Sequence, residues 1–156
     1  MANTYSQIFI QLVFAVKYRE KLITEEKRDR LEKYITGIIQ NKNQKLLAIY
    51  ANPDHIHILI GYNDLNVLIP DIVRDIKSDS SKMMNDENWF RGKFNWQIGY
   101  GAFSYSKSQV DRVSKYILNQ KEHHKKQSFK QEYLELLTKF EIEYKEEYVF
   151  EFFDDL

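Results

Sequence analysis

The segment Pro53-Asp54-His55-Ile56-His57-Ile58-Leu59-Ile60 constrains the fold of this chain more than any other. Alternate residues of a strand project to opposite faces, so its three isoleucines share one face while His55, His57 and Leu59 share the other. The isoleucine face requires a core, and the Asn52-Pro53-Asp54 turn before it predicts an antiparallel partner at Gln44 to Ala51. Ile8 to Val16 reads as an earlier strand. Thr24 is placed to cap a helix that runs to about Asn41 and buries Leu31, Ile35, Ile38 and Ile39. Leu65 to about Asn85 reads as a second helix and Trp96 to Tyr105 as a further strand. Ser106 with Gln109 forms a capping box opening a helix to about Lys126, and Ser128 with Gln131 repeats it before a last helix.

The order strand, helix, strand, strand, helix, strand is that of a split βαβ, ferredoxin-like α+β fold: an antiparallel sheet with helices on one face, extended here by a C-terminal helix carrying Tyr116. The opposite face of the sheet is expected to be free for function. With 156 residues and no repeat or linker, the chain reads as a single domain over residues 1–156. The close pair Gly99 and Gly101 within the predicted strand suggests a bulge or a close backbone approach.

A net charge of zero hides an uneven distribution. From Gln131 to Leu156 there are nine acidic and two basic residues, which leaves residues 1–130 with 21 basic against 14 acidic. A basic body suits phosphate binding through counterion release, and an acidic tail over about 131–156 is expected to sit away from nucleic acid. The absence of cysteine excludes disulfides, thiolate nucleophiles and cysteine metal sites. Neither a secretory leader nor a run of about 18 apolar residues is visible, so a cytoplasmic, nucleoid-associated protein is expected.

Two imidazoles side by side on one strand face can ligate one cation, although a plain sheet surface accounts for such a pair equally well without further support. Support comes from residues 110–124. At helical spacing Val110, Val113 and Ile117 form an apolar stripe, beside which Arg112, Tyr116, Gln120 and His123 form a polar one. An amide oxygen one turn beyond a phenol can complete the coordination of a hard cation while the phenol faces the same centre. His124 falls nearer the apolar stripe and reads as a packed histidine; His123 reads as solvated. With 11 tyrosines in the chain, a rim position is the alternative for Tyr116.

The motifs 53–60, Gly99-Tyr100-Gly101-Ala102-Phe103-Ser104, and Tyr116-Ile117-Leu118-Asn119-Gln120-Lys121-Glu122-His123-His124 resemble those of the HUH single-tyrosine transposases of the insertion-sequence 200/605 class, in the same order. The resemblance implies that Tyr116 attacks a phosphodiester of single-stranded DNA, leaving a 5′-phosphotyrosine and a free 3′-hydroxyl that can later reverse the step. It further implies His55, His57 and Gln120 as ligands of Mg²⁺ or Mn²⁺, recognition of hairpins at element ends, and a homodimer in which one subunit's tyrosine helix can complete the other's histidine site. Two histidines tilt the choice toward Mn²⁺. A free phenol has a pKa of about 10, and no residue stands out in the sequence as its base.

Basic and aromatic residues mix around Lys17, Arg19 and Lys21 and again in Trp89-Phe90-Arg91-Gly92-Lys93-Phe94, and together with Arg112 these five cations are candidate DNA contacts. The rival function is a non-catalytic ferredoxin-like module that binds single-stranded nucleic acid as a regulator. A replication initiator or relaxase would carry a larger chain, and a domesticated, repeat-associated relative would share the chemistry and differ only in genomic setting.

Overall fold

The computed structural model describes residues 3–145 together with Val149. Four strands, β1 (Phe9–Ala15), β2 (Lys45–Ala51), β3 (His55–Gly61) and β4 (Gly101–Tyr105), form one sheet in the order β2-β3-β1-β4, every pair antiparallel. This is the expected α+β arrangement. The helices are α1 (Glu25–Asn41), α2 (Ile69–Asp86), α3 (Val110–Leu118), α4 (Gln120–His123) and α5 (Phe129–Lys139).

Strand alternation builds the main core. Ile10, Leu12 and Phe14 of β1 and Ile56, Ile58 and Ile60 of β3 point to one side, where they meet Leu31, Ile35 and Ile39 of α1 and Ile72, Ile76 and Met84 of α2. Thr24 caps α1 as expected, its hydroxyl accepting from the Lys27 N–H at 3.3 Å. Helix α2 starts at Ile69, four residues later than its periodicity suggested. Asp64 holds the preceding residues in a turn by accepting the Asn66 N–H, and Pro70 occupies the first turn of the helix, where no donor is needed.

The second face of the sheet is not free. It is itself apolar through Val13, Ala15, Ala48, Tyr50, Leu59 and Phe103, and it is covered twice. Val110, Val113 and Ile117 of α3 close over Ala48, Tyr50 and Leu59, while Phe129 and Leu137 of α5 close over Val13, Ala15 and Phe103. His55 and His57 share this face and are therefore buried between layers rather than displayed on a surface, at 1% and 0% exposure.

Three further expectations change. Strand β4 begins only at Gly101: Gly99 has φ +94° and breaks the extension, and Trp96 retains a single bridge to Val16. Gly101 itself meets a close approach, since a Cβ there would lie 2.8 Å from the Tyr133 hydroxyl of α5. The helix predicted from Ser106 to Lys126 is interrupted at Asn119 (φ −98°, ψ 20°). The acidic stretch also does not begin as a detached tail: Gln131–Lys139 lies in α5, whose capping box at Ser128 and Gln131 is present. The rest of that stretch, beyond Lys145 and apart from Val149, lies outside the described residues.

Candidate active site

Strand β3 delivers His55 and His57 side by side, with ring centroids 5.1 Å apart. Gln120, four residues beyond Tyr116, is fully buried, whereas Tyr116 on α3 is only partly so. Helix α5 lies across them. Its Glu132, 2% exposed, reaches the centre of the group. Glu132 Oε1 lies 3.0 Å from His57 Nε2, 3.0 Å from His124 Nε2 and 3.3 Å from His55 Nε2. Its Oε2 accepts from the Tyr116 hydroxyl and from the Gln120 amide, the latter at 3.0 Å. His123 Nε2 stands 3.3 Å from the Tyr116 hydroxyl.

One chain therefore unites His55, His57, Tyr116 and Gln120. The polar stripe read from the helix is largely realised. Tyr116, Gln120 and His123 converge, and Arg112 stays exposed but lines a cavity of about 230 Å³ together with Tyr116. His123 is half-buried against the phenol rather than solvated.

Surrounding groups fix the imidazole tautomers. In the neutral ring His55 Nδ1 donates to Asp54 Oδ1 at 2.6 Å, leaving its Nε2 lone pair to accept from the Asn52 amide at 3.1 Å. This carboxylate–imidazole pairing is the usual second layer of a metal-bound histidine. The Tyr105 hydroxyl donates to Gln11 Oε1 at 2.6 Å, which turns the Gln11 amide nitrogen toward His57 Nδ1 at 2.9 Å. His124 Nδ1 faces the Gln127 carbonyl at 2.8 Å and must donate to it.

Charge in the cluster is strongly redistributed. Burial and the neighbouring His55 push His124 down to about 4, so it is neutral near pH 7. Burial lowers His57 as well. His55 is raised: burial opposes its charge, but hydrogen bonds to Asp54 and Glu132 outweigh burial. Glu132 is held down at about 2, because the charges and hydrogen bonds of His57 and His55 overcome the burial that would raise it. The carboxylate is thus anionic among imidazoles.

This donor set fits a divalent cation. One atom from each of His55, His57, His124 and Glu132 lies within 4.8 Å of the others, and imidazole nitrogen with carboxylate oxygen suits Mn²⁺ or Mg²⁺. Gln120 Oε1 stands 2.9 Å from His124 Nε2 and also accepts from the Asn52 amide at 3.0 Å. The sequence reading missed Glu132, His124, Asp54, Asn52 and Gln11. His124, read from the sequence as a packed histidine, also meets the cluster, because the apolar stripe it continues lies over the sheet face that carries His55 and His57.

The candidate DNA contacts separate into groups. Lys21 lines a cavity of about 390 Å³ with Arg28, Tyr50, His55, Lys121 and Lys125, a cavity other than the one that Arg112 lines. Lys17 and Arg19 lie in a short turn after β1. Arg91 and Lys93 are exposed beside Trp89, Phe90 and Phe94, which pack into the main core on the α1–α2 side of the sheet. Phe94 is fully buried and is therefore no platform for a base.

Comparison with known proteins bears on the family and the fold. The family described as "Transposase IS200 like" matches residues 4–120, a span that includes His55, His57, Tyr116 and Gln120 and ends before His124 and Glu132. The ISDra2 transposase TnpA of Deinococcus radiodurans is 26% identical over 121 residues, covering 73% of this chain and 84% of that protein. A crystal structure described as a transposase from Deinococcus radiodurans R1 superposes with a TM-score of 0.60 at 25% identity, covering 77% of this chain and 95% of the other. A REP-associated tyrosine transposase bound to a REP hairpin shares the fold with a TM-score of 0.59 at 14% identity, covering 80% of this chain and 73% of that one. Among the described residues no helix is long and apolar enough to cross a membrane. By its match over three quarters of its length, the chain belongs to the IS200-like transposase family.

Proposed function

We propose that this protein cleaves and rejoins single-stranded DNA at the ends of an insertion sequence, with Tyr116 as nucleophile and a divalent cation, Mg²⁺ or Mn²⁺, held by His55, His57 and Gln120. The observation that carries the reading is the meeting of the Tyr116 phenol with both strand histidines and the Gln120 amide around one buried carboxylate. The phenolic oxygen forms a bond to phosphorus as the bond to the 3′ oxygen breaks. The 3′ oxygen leaves with a proton as a hydroxyl, and the 5′ phosphate stays on Tyr116. Attack by a 3′-hydroxyl on that phosphotyrosine reverses the step and joins new ends. When bound, the cation polarises the scissile phosphate and offsets charge on the leaving oxygen.

The chain's own residues orient the participants. Glu132 Oε2 holds the phenolic hydrogen, and Asp54 fixes the His55 ring. The two cavities flanking the cluster, one bordered by Lys21, Arg28, Lys121 and Lys125 and the other by Arg112 and Lys139, suit the phosphates of a strand passing on either side. The hairpin bound by the REP-associated relative makes a hairpin near the cleavage site the natural ligand to try. Because the groups meet within one chain, a homodimer need not share residues between subunits to complete this site.

The test is incubation with labelled single-stranded DNA from the ends of the element and Mn²⁺, scored for an adduct that survives denaturation. Tyr116→Phe removes the adduct and keeps DNA binding, and a chelator removes the adduct from the wild type. If Tyr116→Phe formed the adduct, Tyr116 would not be the nucleophile; if the wild type formed none while binding the strand tightly, the non-catalytic regulator would be the better reading.

A further inference from the structure

The geometry points to Glu132 and His124 as additional ligands of the divalent-cation centre, so that the C-terminal helix α5 supplies an anionic ligand from outside the segment matched by the family. This rests on the reading of the site as a divalent-cation centre given above.

The Nδ1–H of His55 goes to Asp54 and the Nδ1–H of His124 to the Gln127 carbonyl, so each ring turns a lone pair at Nε2 toward the middle of the cluster. Both lone pairs face Glu132 Oε1, at 3.3 and 3.0 Å, and that of His124 also faces Gln120 Oε1 at 2.9 Å. The Asn52 amide serves the His55 Nε2 and Gln120 Oε1 lone pairs, and a hydrogen on His57 Nε2, which His57 would give up on ligation, serves only the carboxylate; the His124 Nε2 lone pair is left facing two oxygens with no hydrogen between them. All four groups are wholly or mostly shielded from water, so no bulk solvent is at hand to relieve the mismatch. A cation at this point turns mutually repelling lone pairs into a coordination set.

Charge favours the same assignment. Two histidines and an amide are neutral ligands and would leave a dication's full charge in a buried place. A carboxylate halves that charge and supplies the hard oxygen that Mg²⁺ and Mn²⁺ prefer. The division of labour within Glu132 is consistent with this. Oε1 faces the three imidazoles, while Oε2 is engaged by the Tyr116 hydroxyl and the Gln120 amide. Ligation through Oε1 would therefore leave the phenol tethered to a ligand of the same ion.

The experiment is Mn²⁺ titration of the full chain by calorimetry, without DNA. Glu132→Gln, nearly isosteric, weakens Mn²⁺ binding by about tenfold or more, His124→Ala weakens it in the same sense, and Tyr116→Phe leaves it within about twofold. Melting in chelator shows whether Glu132→Gln is folded. A wild-type crystal soaked in Mn²⁺ gives an answer that needs no variant: an anomalous peak bonded to Glu132 and His124 as well as His55 and His57 supports the inference. If His57→Ala abolishes binding while Glu132→Gln leaves it unchanged, or if the peak is held by His55, His57 and Gln120 with Glu132 turned away, the inference falls and the proposed function stands. If His57→Ala binds Mn²⁺ like the wild type, the cation-centre reading itself falls.

Discussion

Replacing Phe129 by alanine should release α5 without unfolding the rest of the protein. Phe129 opens α5, is 5% exposed, stacks on His55 with ring centroids 3.8 Å apart, and packs with Val13, Ala15, Phe103 and Leu137. Removing a buried phenyl ring costs about 3–5 kcal/mol. The lower end applies here, because the cluster lies under a single short helix that can collapse or lift. An isolated helix of 11 residues is marginal in water, so α5 is held in place by this packing and by the Glu132 contacts. The main core between the sheet and α1–α2 does not include Phe129. A loss of about 3 kcal/mol is therefore expected in α5, read by native-state hydrogen exchange as a drop of roughly a hundredfold in protection for its amides, with β3 and α1 nearly unchanged. Unchanged protection in α5, or an equal loss in every element, would refute the view that this helix docks as a separable cover over the site.

Asp54→Asn keeps the shape beside His55 and removes the charge that orients its ring, so Mn²⁺ affinity measured by calorimetry should fall by about 10- to 100-fold. In chelator, the Glu132 carboxyl, held at about 2 in the fold against a reference of 4.5, stabilises the protein fully above about pH 4.5 and loses that contribution as pH falls toward 2. The unfolded chain binds this proton first on the way down. Denaturant unfolding at pH 6 and pH 3 should therefore show a larger loss for the wild type than for Glu132→Gln, and equal losses would contradict the assignment. Ser80→Ala should destabilise the fold by about 1–3 kcal/mol in urea titration, because Ser80 Oγ accepts from Trp96 Nε1 at 2.9 Å and the buried indole N–H would be left without a partner.

The strand bearing His55 and His57 was legible because period-two alternation leaves no choice of face: three isoleucines can only point into the core. Tyr116 and Gln120 were legible for the corresponding helical reason. His124 was misread because a place near the apolar stripe was taken to mean packing alone, whereas that stripe lies over the same sheet face as His55, so the residue one turn beyond Gln120 reaches the cluster. Glu132 was hidden in a stretch whose average composition is acidic, a property that says nothing about one position. A local signal did exist. Phe129, Glu132 and Leu137 fall on one side of a well-capped helix, and a carboxylate on an apolar stripe needs a partner once it is buried. The freedom expected for the second sheet face failed for a related reason, since Val13, Ala48, Leu59 and Phe103 already make that face apolar and in need of cover. The late start of β4 follows from Gly99, whose positive φ no strand pattern reveals.

The covalent attachment point is the most direct test of the account. Single-stranded DNA from the element's end, trapped on the protein with Mn²⁺ and digested to peptides, should yield a nucleotide 5′-phosphate on Tyr116 by mass spectrometry. A phosphate mapped to any of the other ten tyrosines, or to a serine, would contradict it.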